Sequence, residues 1–399
     1  MERVFVSGVG AVSPIGIDCD SIYENLTHNR YLFKPEKRAI KNHGYGKLSS
    51  QVSDDDKETI RQHIFQKGNE GTSLPQATQY SIYATKMALE DAGINVAEIE
   101  DLRIAIILGN NESESEVFDT YLATKDETFP FYASYKIPEA IAKFYGLKNV
   151  RNLCIHNTCA SSNLAMEIGL NLLRTDQCEL AIVGGTDCFS QKVHAGFDSL
   201  FSISKQGSKP FSEGRDGITI GEGSSVLILE RESFAAKRGF TTPYCEVVAV
   251  SSSNDAKSLT APDVDGILLA YKKVLREGNI AFGDIDYVMS HGTGTNLNDS
   301  VEATVINVLA NGGRNPEVCS IKGIVGHMMA VAGSFASVII CMIFRKGIIP
   351  GSPQCLPKDK ECAIDIITDT KVDMECNIWS NHSFGFGGNN SIALFRRVI

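Results

Sequence analysis

The sequence predicts an α/β protein in which helices and strands pack in layers. Short apolar runs rich in β-branched residues alternate with segments of helical period, and this alternation is typical of layered α/β folds. The 399 residues suggest two domains, or two halves that share one large core. The predicted strands are residues 4–9, 104–108, 180–183, 226–229, 247–251, 287–290 and 391–395.

Three segments have helical character. Residues 80–91 form a predicted helix that ends at Gly93, and residues 160–174 repeat an apolar side chain every fourth position. Residues 328–344 carry no charge, but 17 residues is the short limit for crossing a membrane. Ser334 and Ser337 lie within this segment, so we interpret it as a helix buried in a soluble core rather than a membrane span.

Two segments of the chain share a layout. GEGSSVLILER (221–231) and FGGNNSIALFRR (386–397) each contain a glycine turn, small polar residues, an apolar strand and a charged end. The pair indicates a duplicated α/β unit, although coincidence would also explain one such pair. We therefore predict a first half at residues 1–235 and a second half at residues 236–399. The acidic stretch 112–128 is predicted to be an excursion from the first half.

Composition excludes several classes of function. The formal net charge of −10 disfavours general nucleic-acid binding. The 11 cysteines are odd in number and include no CxxC pair, which is typical of reduced thiols in a cytoplasmic protein. The sequence MERVFVSGVG lacks the charged-then-apolar layout of a signal peptide.

Cys159 lies in HNTCASSNLAMEIGL, just ahead of the predicted helix 160–174. A helix N-terminus offers free N–H groups and positive potential, both of which favour thiolate over thiol. The small residues after the cysteine leave room for a substrate. The sequence alone leaves two interpretations open: a reactive nucleophile with a lowered pKa, or a buried structural cysteine.

Two histidines lie in glycine-rich segments. His291 begins HGTGTNLNDSVEA directly after a predicted strand, and Asp299 and Glu302 follow on a predicted helix start. His327 ends SIKGIVGH and opens the uncharged helix, whose N-terminal field disfavours a protonated ring. A neutral histidine can donate a hydrogen bond to a developing enolate. A core histidine and a helix-capping histidine are the structural alternatives.

Lys322 lies in the same largely apolar segment as His327 and requires a carboxylate partner if it is buried. Glu302 is the candidate partner. The segment NHSFGFGGNN (381–390) is a glycine-flanked loop whose backbone N–H groups could form an oxyanion hole, or a plain turn before the last strand.

One cysteine and two histidines without metal-ligand spacing favour nucleophilic catalysis over a metal site. A nicotinamide site is excluded because Ser13 stands where a GxGxxG motif has its third glycine. Taken in order, these segments resemble the β-ketoacyl-acyl carrier protein synthases of the decarboxylating type, including the ketosynthases of type II polyketide systems. The resemblance covers essentially the whole chain and rests on RVFVSGVGAVSPIG, NTCASS, KPFSEGRDGITIGEGSSVLILE, HGTGT, KGIVGH and SFGFGGNN.

This resemblance implies a thiolase-like fold of duplicated αβαβα halves, with no cofactor of its own. Substrates would arrive on the 4'-phosphopantetheine of an acyl carrier protein, in fatty acid or polyketide synthesis. The active species would be a homodimer, or a heterodimer with a chain-length-factor-like subunit. The product would be a 3-oxoacyl-acyl carrier protein.

The resemblance also implies site roles. Cys159 would be the acyl-accepting nucleophile, and its N–H with that of Phe386 would form the oxyanion hole. His291 and His327 would assist decarboxylation, with Lys322 holding the hydrogen-bond network. The remaining implied positions are Glu302 and Asp299 as supports, Thr293, Thr295 and Thr260 at the pantetheine arm, Lys209 facing the carrier protein, and Asn110, Asn111 and Phe386 at the acyl pocket.

The chain departs from the family pattern at several places. Asn157-Thr158 replaces the usual Thr-Ala before the cysteine, and Asn389 replaces a threonine in GFGGTN. The polar NNESESE after the strand 104–108 predicts an unusual pocket wall. These departures favour a specialised substrate, such as a polyene or polyketide chain, or an unusual partner subunit, and ordinary fatty-acid elongation is the competing role.

Two other classes compete with this interpretation. A non-catalytic partner subunit typically lacks the nucleophile, whereas this chain keeps it. A biosynthetic thiolase, or a condensing enzyme of the initiating type, would use Cys-His-Asn or Cys-His-Cys, and the two histidines here disfavour both.

Overall fold

The computed structural model describes residues 2–37, 43, 46–65, 74–125 and 133–398. Its strands are β1 (Val4–Val12), β2 (Phe33–Pro35), β3 (Leu48–Ser50), β4 (Ile104–Gly109), β5 (Val150–Ile155), β6 (Leu180–Asp187), β7 (Ile220–Gly221), β8 (Gly223–Arg231), β9 (Cys245–Asn254), β10 (Tyr287–Met289), β11 (Glu317–Cys319), β12 (Ile348–Ile349), β13 (Lys371–Val372), β14 (Ile378–Gly385) and β15 (Asn389–Arg397).

The helices follow the apolar periodicity of the sequence. They are α1 (Cys19–Thr27), α2 (Asp54–Phe65), α3 (Gln76–Asp91), α4 (Val96–Ile99), α5 (Ser113–Thr124), α6 (Lys136–Tyr145), α7 (Ser161–Arg174), α8 (Gln191–Ser199), α9 (Glu232–Lys237), α10 (Val264–Gly278), α11 (Asn296–Ala310), α12 (Lys322–Val325) and α13 (Ala332–Lys346). The predicted excursion therefore contains α5, and its residues 126–128 lie outside the described residues.

The main sheet has ten strands in the order β11-β10-β14-β15-β9-β1-β8-β6-β4-β5. β1 and β9 lie at the centre of this sheet, and each half contributes five strands to it. If the five are numbered in chain order, both halves place them outward from the centre in the order first, fifth, fourth, second and third. The directions also match, because β1 and β9 each pair antiparallel with the next strand, while the outer pairs are parallel. The predicted duplicated α/β fold is confirmed, whereas the boundary at 235/236 stays a prediction.

The long helices pack against the strands of the main sheet. α3 packs on β1 and β8, and α10 packs on β9 and β15. α7 and α13 contact each other and strands of both halves, so they form the middle layer. α3 approaches β1 closely, because a Cβ at Gly8 would lie 2.1 Å from the carbonyl oxygen of Ala88. Glycine in β1 is thus required by packing.

α13 is the apolar helix that the sequence indicated. Residues Met329–Lys346 are long and apolar enough to cross a membrane by length and composition, yet 89% of that window is buried inside the protein. Its side chains belong to the largest hydrophobic cluster, together with residues of α7, β1 and β9. The interpretation as a core helix agrees with this burial.

Candidate active site

Cys159 lies in the turn between β5 and α7, with 7% of its surface exposed. Burial raises the pKa of its thiol to about 12, against the opposing charge of Lys322 and the N–H groups of Cys159 and Phe386 at the sulfur. The predicted lowering of this pKa by the helix terminus is wrong for the resting protein. α7 begins at Ser161, two residues later, and desolvation is the largest influence on the pKa of the thiol.

The N–H groups of Cys159 and Phe386 both reach the sulfur. They come from two different loops, one before α7 and one between β14 and β15. Two backbone donors that converge beside a nucleophile can stabilise the oxyanion of a tetrahedral intermediate. The geometry is compatible with the predicted oxyanion hole, whose role stays a prediction.

His291 follows β10, as predicted from the apolar run before it, and is 2% exposed. The N–H groups of His291 and Gly292 each donate to one carboxylate oxygen of Glu302, both at 2.8 Å. The N–H groups of Thr293 and Gly294 donate to Asp299. α11 therefore holds this loop through two buried carboxylates, whose supporting role in a reaction stays a prediction.

Burial keeps the His291 ring neutral. Desolvation sets its pKa well below the ordinary value, with further lowering from Lys322, His327 and His382. The ring of Phe384 lies 5.6 Å from that of His291, centroid to centroid, and shields it from solvent.

His327 follows α12, and its ring centroid lies 5.2 Å from that of His291. Nδ1 accepts the N–H of Met329 at 3.1 Å, so in a neutral ring the proton resides on Nε2. Burial, then Lys322, lowers the pKa of His327 to about 3. His327 does not open the long helix as predicted, because a 3-10 turn (Met329–Val331) precedes α13.

The ligating atoms of Cys159, His291 and His327 all lie within 4.8 Å of one another. A metal bound at Nε2 of His327 would require a proton on Nδ1, which instead faces a backbone donor. The donor set thus fits proton and hydrogen-bond chemistry better than a metal, and the absence of a metal stays a prediction.

Lys322 begins α12, and burial lowers the pKa of its ammonium to about 8. Glu302 supplies the largest opposing charge. However, none of the ion pairs within 4.0 Å among the described residues joins Lys322 to Glu302. The predicted direct pair is therefore wrong. The Glu302 carboxylate instead faces the His291 loop and His382, whose Nδ1 lies 2.7 Å from it.

Asp299 is fully buried on α11. Its carboxylate accepts the N–H of Phe211 at 2.7 Å in addition to the two donors of the His291 loop. Desolvation raises its pKa to about 6, against those hydrogen bonds and Arg215. It ties the loop after β10 to the segment that precedes β7.

A cavity of about 220 Å³ leads to Cys159 and both histidines. Its walls include the three threonines predicted at the pantetheine arm, Thr260, Thr293 and Thr295, and also Phe386. The hydroxyls of Thr293 and Thr295 lie 2.9 Å apart. The ring of Phe386 stacks on that of Phe197 from α8, with centroids 5.5 Å apart.

Asn110 and Asn111 do not line this cavity. The amide of Asn110 is buried and donates to the carbonyl of Thr186 at 2.7 Å and to Asp187 at 2.9 Å. The amide of Asn111 donates to the carbonyl of Thr158. The turn after β4 thus holds Asp187 and the nucleophile loop, and the place of Asn110 and Asn111 at an acyl pocket stays a prediction.

Two buried residues were missed. His382 bonds to Glu302 and, through Nε2, to the hydroxyl of Tyr271. Asp187 accepts the N–H groups of Asn111, Glu112 and Ala330, and desolvation raises its pKa to about 7. The histidine inside NHSFGFGGNN was a usable signal for the first, whereas Asp187 ends an apolar run without any motif.

The fold and this site define a thiolase-like condensing acyltransferase. Residues 1–235 match the beta-ketoacyl synthase N-terminal domain, and residues 244–355 match the beta-ketoacyl synthase C-terminal domain. The chain belongs to the β-ketoacyl synthase family, and the predicted enzyme class is confirmed.

Curated relatives and solved structures agree with this family. The chain is 26% identical over 420 residues to 3-oxoacyl-[acyl-carrier-protein] synthase 2 of Staphylococcus aureus (strain COL), covering 99% of this chain and 98% of that protein. The enzyme of the same name from Coxiella burnetii is 26% identical over 421 residues, covering 100% and 99%.

Among solved structures, the ishigamide ketosynthase/chain length factor aligns with a TM-score of 0.91 and 26% identity over 100% of both chains. A β-ketoacyl synthase from Burkholderia phymatum STM815 aligns with a TM-score of 0.86 and 24% identity over 100% of both chains, and this likeness concerns the fold alone.

Proposed function

We propose that Cys159 carries the growing acyl chain as a thioester and that His291 and His327 stabilise the enolate formed from a malonyl extender. This proposal rests on the cluster formed by Sγ of Cys159 and ring nitrogens of His291 and His327, which all lie within 4.8 Å of one another. Neither a carboxylate nor a second cysteine belongs to that cluster. One thiol beside two histidines suits a reaction in which the thiol holds an acyl group while the rings stabilise an enolate.

In the first half-reaction, the Cys159 sulfur attacks the carbonyl carbon of an acyl thioester. The oxyanion is held by the N–H groups of Cys159 and Phe386. The intermediate then expels the thiolate of the donor, which takes up the proton lost by Cys159. Since burial keeps Cys159 protonated at rest, the thiol proton must leave as the sulfur attacks.

In the second half-reaction, the malonyl thioester loses carbon dioxide and its electrons form an enolate. A neutral imidazole with its proton on Nε2 can donate a hydrogen bond from that nitrogen to the enolate oxygen. His327 has this tautomer, since Met329 donates to its Nδ1. The carbanion carbon attacks the carbonyl carbon of the Cys159 thioester, the bond from that carbon to sulfur breaks, and the expelled Cys159 thiolate takes up a proton from solvent.

The carrier of these thioesters is an acyl carrier protein, as the name of the curated relatives states for them. Thr260, Thr293 and Thr295 on the cavity wall suit the polar arm of 4'-phosphopantetheine. Leu297 lines the cavity and is exposed to solvent, so it presents an apolar side chain at the opening. Lys209 is half-buried, and its ammonium donates to Gln206, so we assign it a minor part in docking.

A second subunit would pair at β5, the half-exposed edge of the ten-stranded sheet. An identical chain and a chain-length-factor-like chain are both candidates, and the solved ketosynthase/chain length factor favours the second. The enzyme would act in the cytoplasm without a bound cofactor, in fatty acid or polyketide synthesis. A non-catalytic role is the alternative, and it would leave Cys159 unacylated.

Intact-protein mass spectrometry tests the nucleophile. With an acyl-carrier protein donor, we expect one acyl mass on the wild type and on Cys178→Ala, which removes another buried cysteine, but none on Cys159→Ala. Malonyl-carrier protein is then added. We expect His291→Ala and His327→Ala to retain more acylation than condensation. An unacylated wild type, or an adduct that persists in Cys159→Ala, would exclude the assignment.

A further inference from the structure

Two loops meet at the nucleophile. One is the turn before α7 that contains Thr158 and Cys159, and the other is the turn Phe386–Gly388 between β14 and β15. A Cβ at Gly385 would lie 1.9 Å from Oγ1 of Thr158 and 3.0 Å from the N of Cys159. The loops are therefore in direct contact.

Thr158 adopts an unusual backbone conformation. Its φ is +51°, in the left-handed region that a β-branched side chain rarely occupies. Its carbonyl accepts the amide of Asn111 at 3.0 Å and the hydroxyl of Ser161 at 2.6 Å. Its hydroxyl has two acceptors in reach, the carbonyls of Asn157 at 2.8 Å and of Phe386 at 3.1 Å. Strain held by this many partners indicates a functional position.

Asn389 completes the contact from the other loop. Its Nδ2 donates to the carbonyl of Phe386 at 2.9 Å and reaches Oγ1 of Thr158 at 3.5 Å. Oδ1 of Asn389 accepts a hydrogen bond from Nδ2 of Asn254 at 2.9 Å. Nδ2 of Asn254 also donates to the carbonyl of Gly387 at 2.9 Å. Thr158 and Asn389 thus form a clamp of two neutral side chains on the Phe386 carbonyl, and Asn254 holds Asn389 and the carbonyl of Gly387 from behind.

The clamp matters because the turn is otherwise adaptable. Gly387 and Gly388 have φ of +80° and +74°, and neither has a side chain to restrict the backbone. The N–H of Phe386, which reaches the Cys159 sulfur, is on the residue immediately before them. Fixing the Phe386 carbonyl therefore limits how far its N–H can move.

We propose that Thr158 and Asn389 are positioning residues that aim the Phe386 N–H at the oxygen of the reacting thioester. The inference rests on the proposed function, since it requires acyl transfer to Cys159. It assigns roles to two side chains that do not line the cavity at Cys159. A misaimed N–H would weaken stabilisation of the tetrahedral intermediate without changing the binding of the acyl donor.

Single-turnover acylation with acyl-carrier protein, followed by mass spectrometry, tests the proposal. In Thr158→Ala and in Asn389→Ala we expect the maximal acylation rate to fall about tenfold, in line with losing about one hydrogen bond to the turn. The half-saturating donor concentration should stay within about twofold. Thr158→Ser keeps the hydroxyl and should recover most of the rate. Thr175→Ala, which removes an exposed hydroxyl at the far end of α7, is the matched control.

Alkylation of Cys159 by iodoacetamide forms no oxyanion. It therefore distinguishes a misplaced Phe386 N–H from a general loss of reactivity at the Cys159 thiol. Acylation should fall more than alkylation in both clamp variants. Equal loss of the two reactions, an unchanged acylation rate, or failure of Thr158→Ser to recover would each overturn the proposal. Failure of the wild type to acylate would instead overturn the proposed function, so the two can be distinguished.

Discussion

The two halves of the chain connect their corresponding strands, β6 and β8 in the first and β14 and β15 in the second, in different ways. In the first half, the connection from β6 to β8 runs through residues 188–222 and includes α8, whereas in the second half β14 and β15 are joined by the turn Phe386–Gly388. The long connection ends at Glu222, a carboxylate that is 1% exposed. The short one contributes a backbone N–H to the nucleophile.

The bonds that hold the two connections differ in charge. Glu222 accepts the N–H groups of Val52 at 2.9 Å and Phe189 at 2.8 Å, and it forms an ion pair with Lys57 at 3.1 Å. The turn at Phe386 is held by amide and hydroxyl groups without formal charge. We infer that the first connection serves stability, while the second keeps a donor in place by bonds that can break and re-form.

The largest expected effect follows from removing Glu222. Glu222→Ala takes away the acceptor of two backbone N–H groups and the partner of a lysine, so unfolding free energy should fall by about 3–5 kcal/mol. Urea denaturation measures this change. The control is Glu58→Ala, which removes an exposed ion pair with Arg61 and should change stability little. Comparable losses in the two variants would contradict a scaffold role for Glu222.

A second expected effect concerns pH and the neutral histidines. His327 has a pKa of about 3 in the folded protein against 6.5 for an ordinary histidine. The unfolded chain therefore binds a proton that the folded protein does not, and stability is lost as pH falls below about 6.5. His327→Gln should reduce the steepness of that loss by up to about 1.4 kcal/mol per pH unit between pH 6 and 4.

Denaturation curves of wild type and His327→Gln at each pH provide the comparison. An unchanged slope would show that the ring is protonated in the folded protein. Carbon and nitrogen chemical shifts of the ring offer a second check, since they should stay constant from pH 7.5 to 5 with the proton on Nε2.

The smallest expected effect is on the stability of Asn389→Ala. Its bonds are neutral and half-exposed, so unfolding free energy should fall by no more than about 1 kcal/mol. Acylation should nevertheless slow, as proposed for the clamp. A stability loss as large as that of Glu222→Ala would remove the contrast between the two connections.

The apolar strands could be predicted from sequence because their burial is two-sided and their side chains are apolar. Each predicted run overlaps the observed strand, as residues 226–229 do within β8, with ends that differ by a few residues where polar side chains continue the ladder. Of the ten strands of the main sheet, β5, β11 and β14 escaped prediction. β5 is an edge strand with polar positions, and β14 buries Ser380, Asn381 and His382.

The polarity of β14 has a structural reason. The amide of Asn381 donates to the carbonyl of Gly333 at 2.8 Å, and His382 bonds to Glu302. These groups link the site to the middle layer, so they break the apolar pattern that identifies a buried strand. The motifs could be recognised, but distances could not. The partner of Glu302 and the pKa of Cys159 depend on burial that only the folded chain defines.

The donor that orients His327 belongs to the main chain, at Met329. Most substitutions leave an amide N–H intact, and only proline would remove it. Met329 has φ of +53°, a conformation that the proline ring cannot adopt. Substitutions of Met329 other than proline thus keep the N–H that sets the tautomer of His327. The side chain of residue 329 can change while the ring proton stays on Nε2.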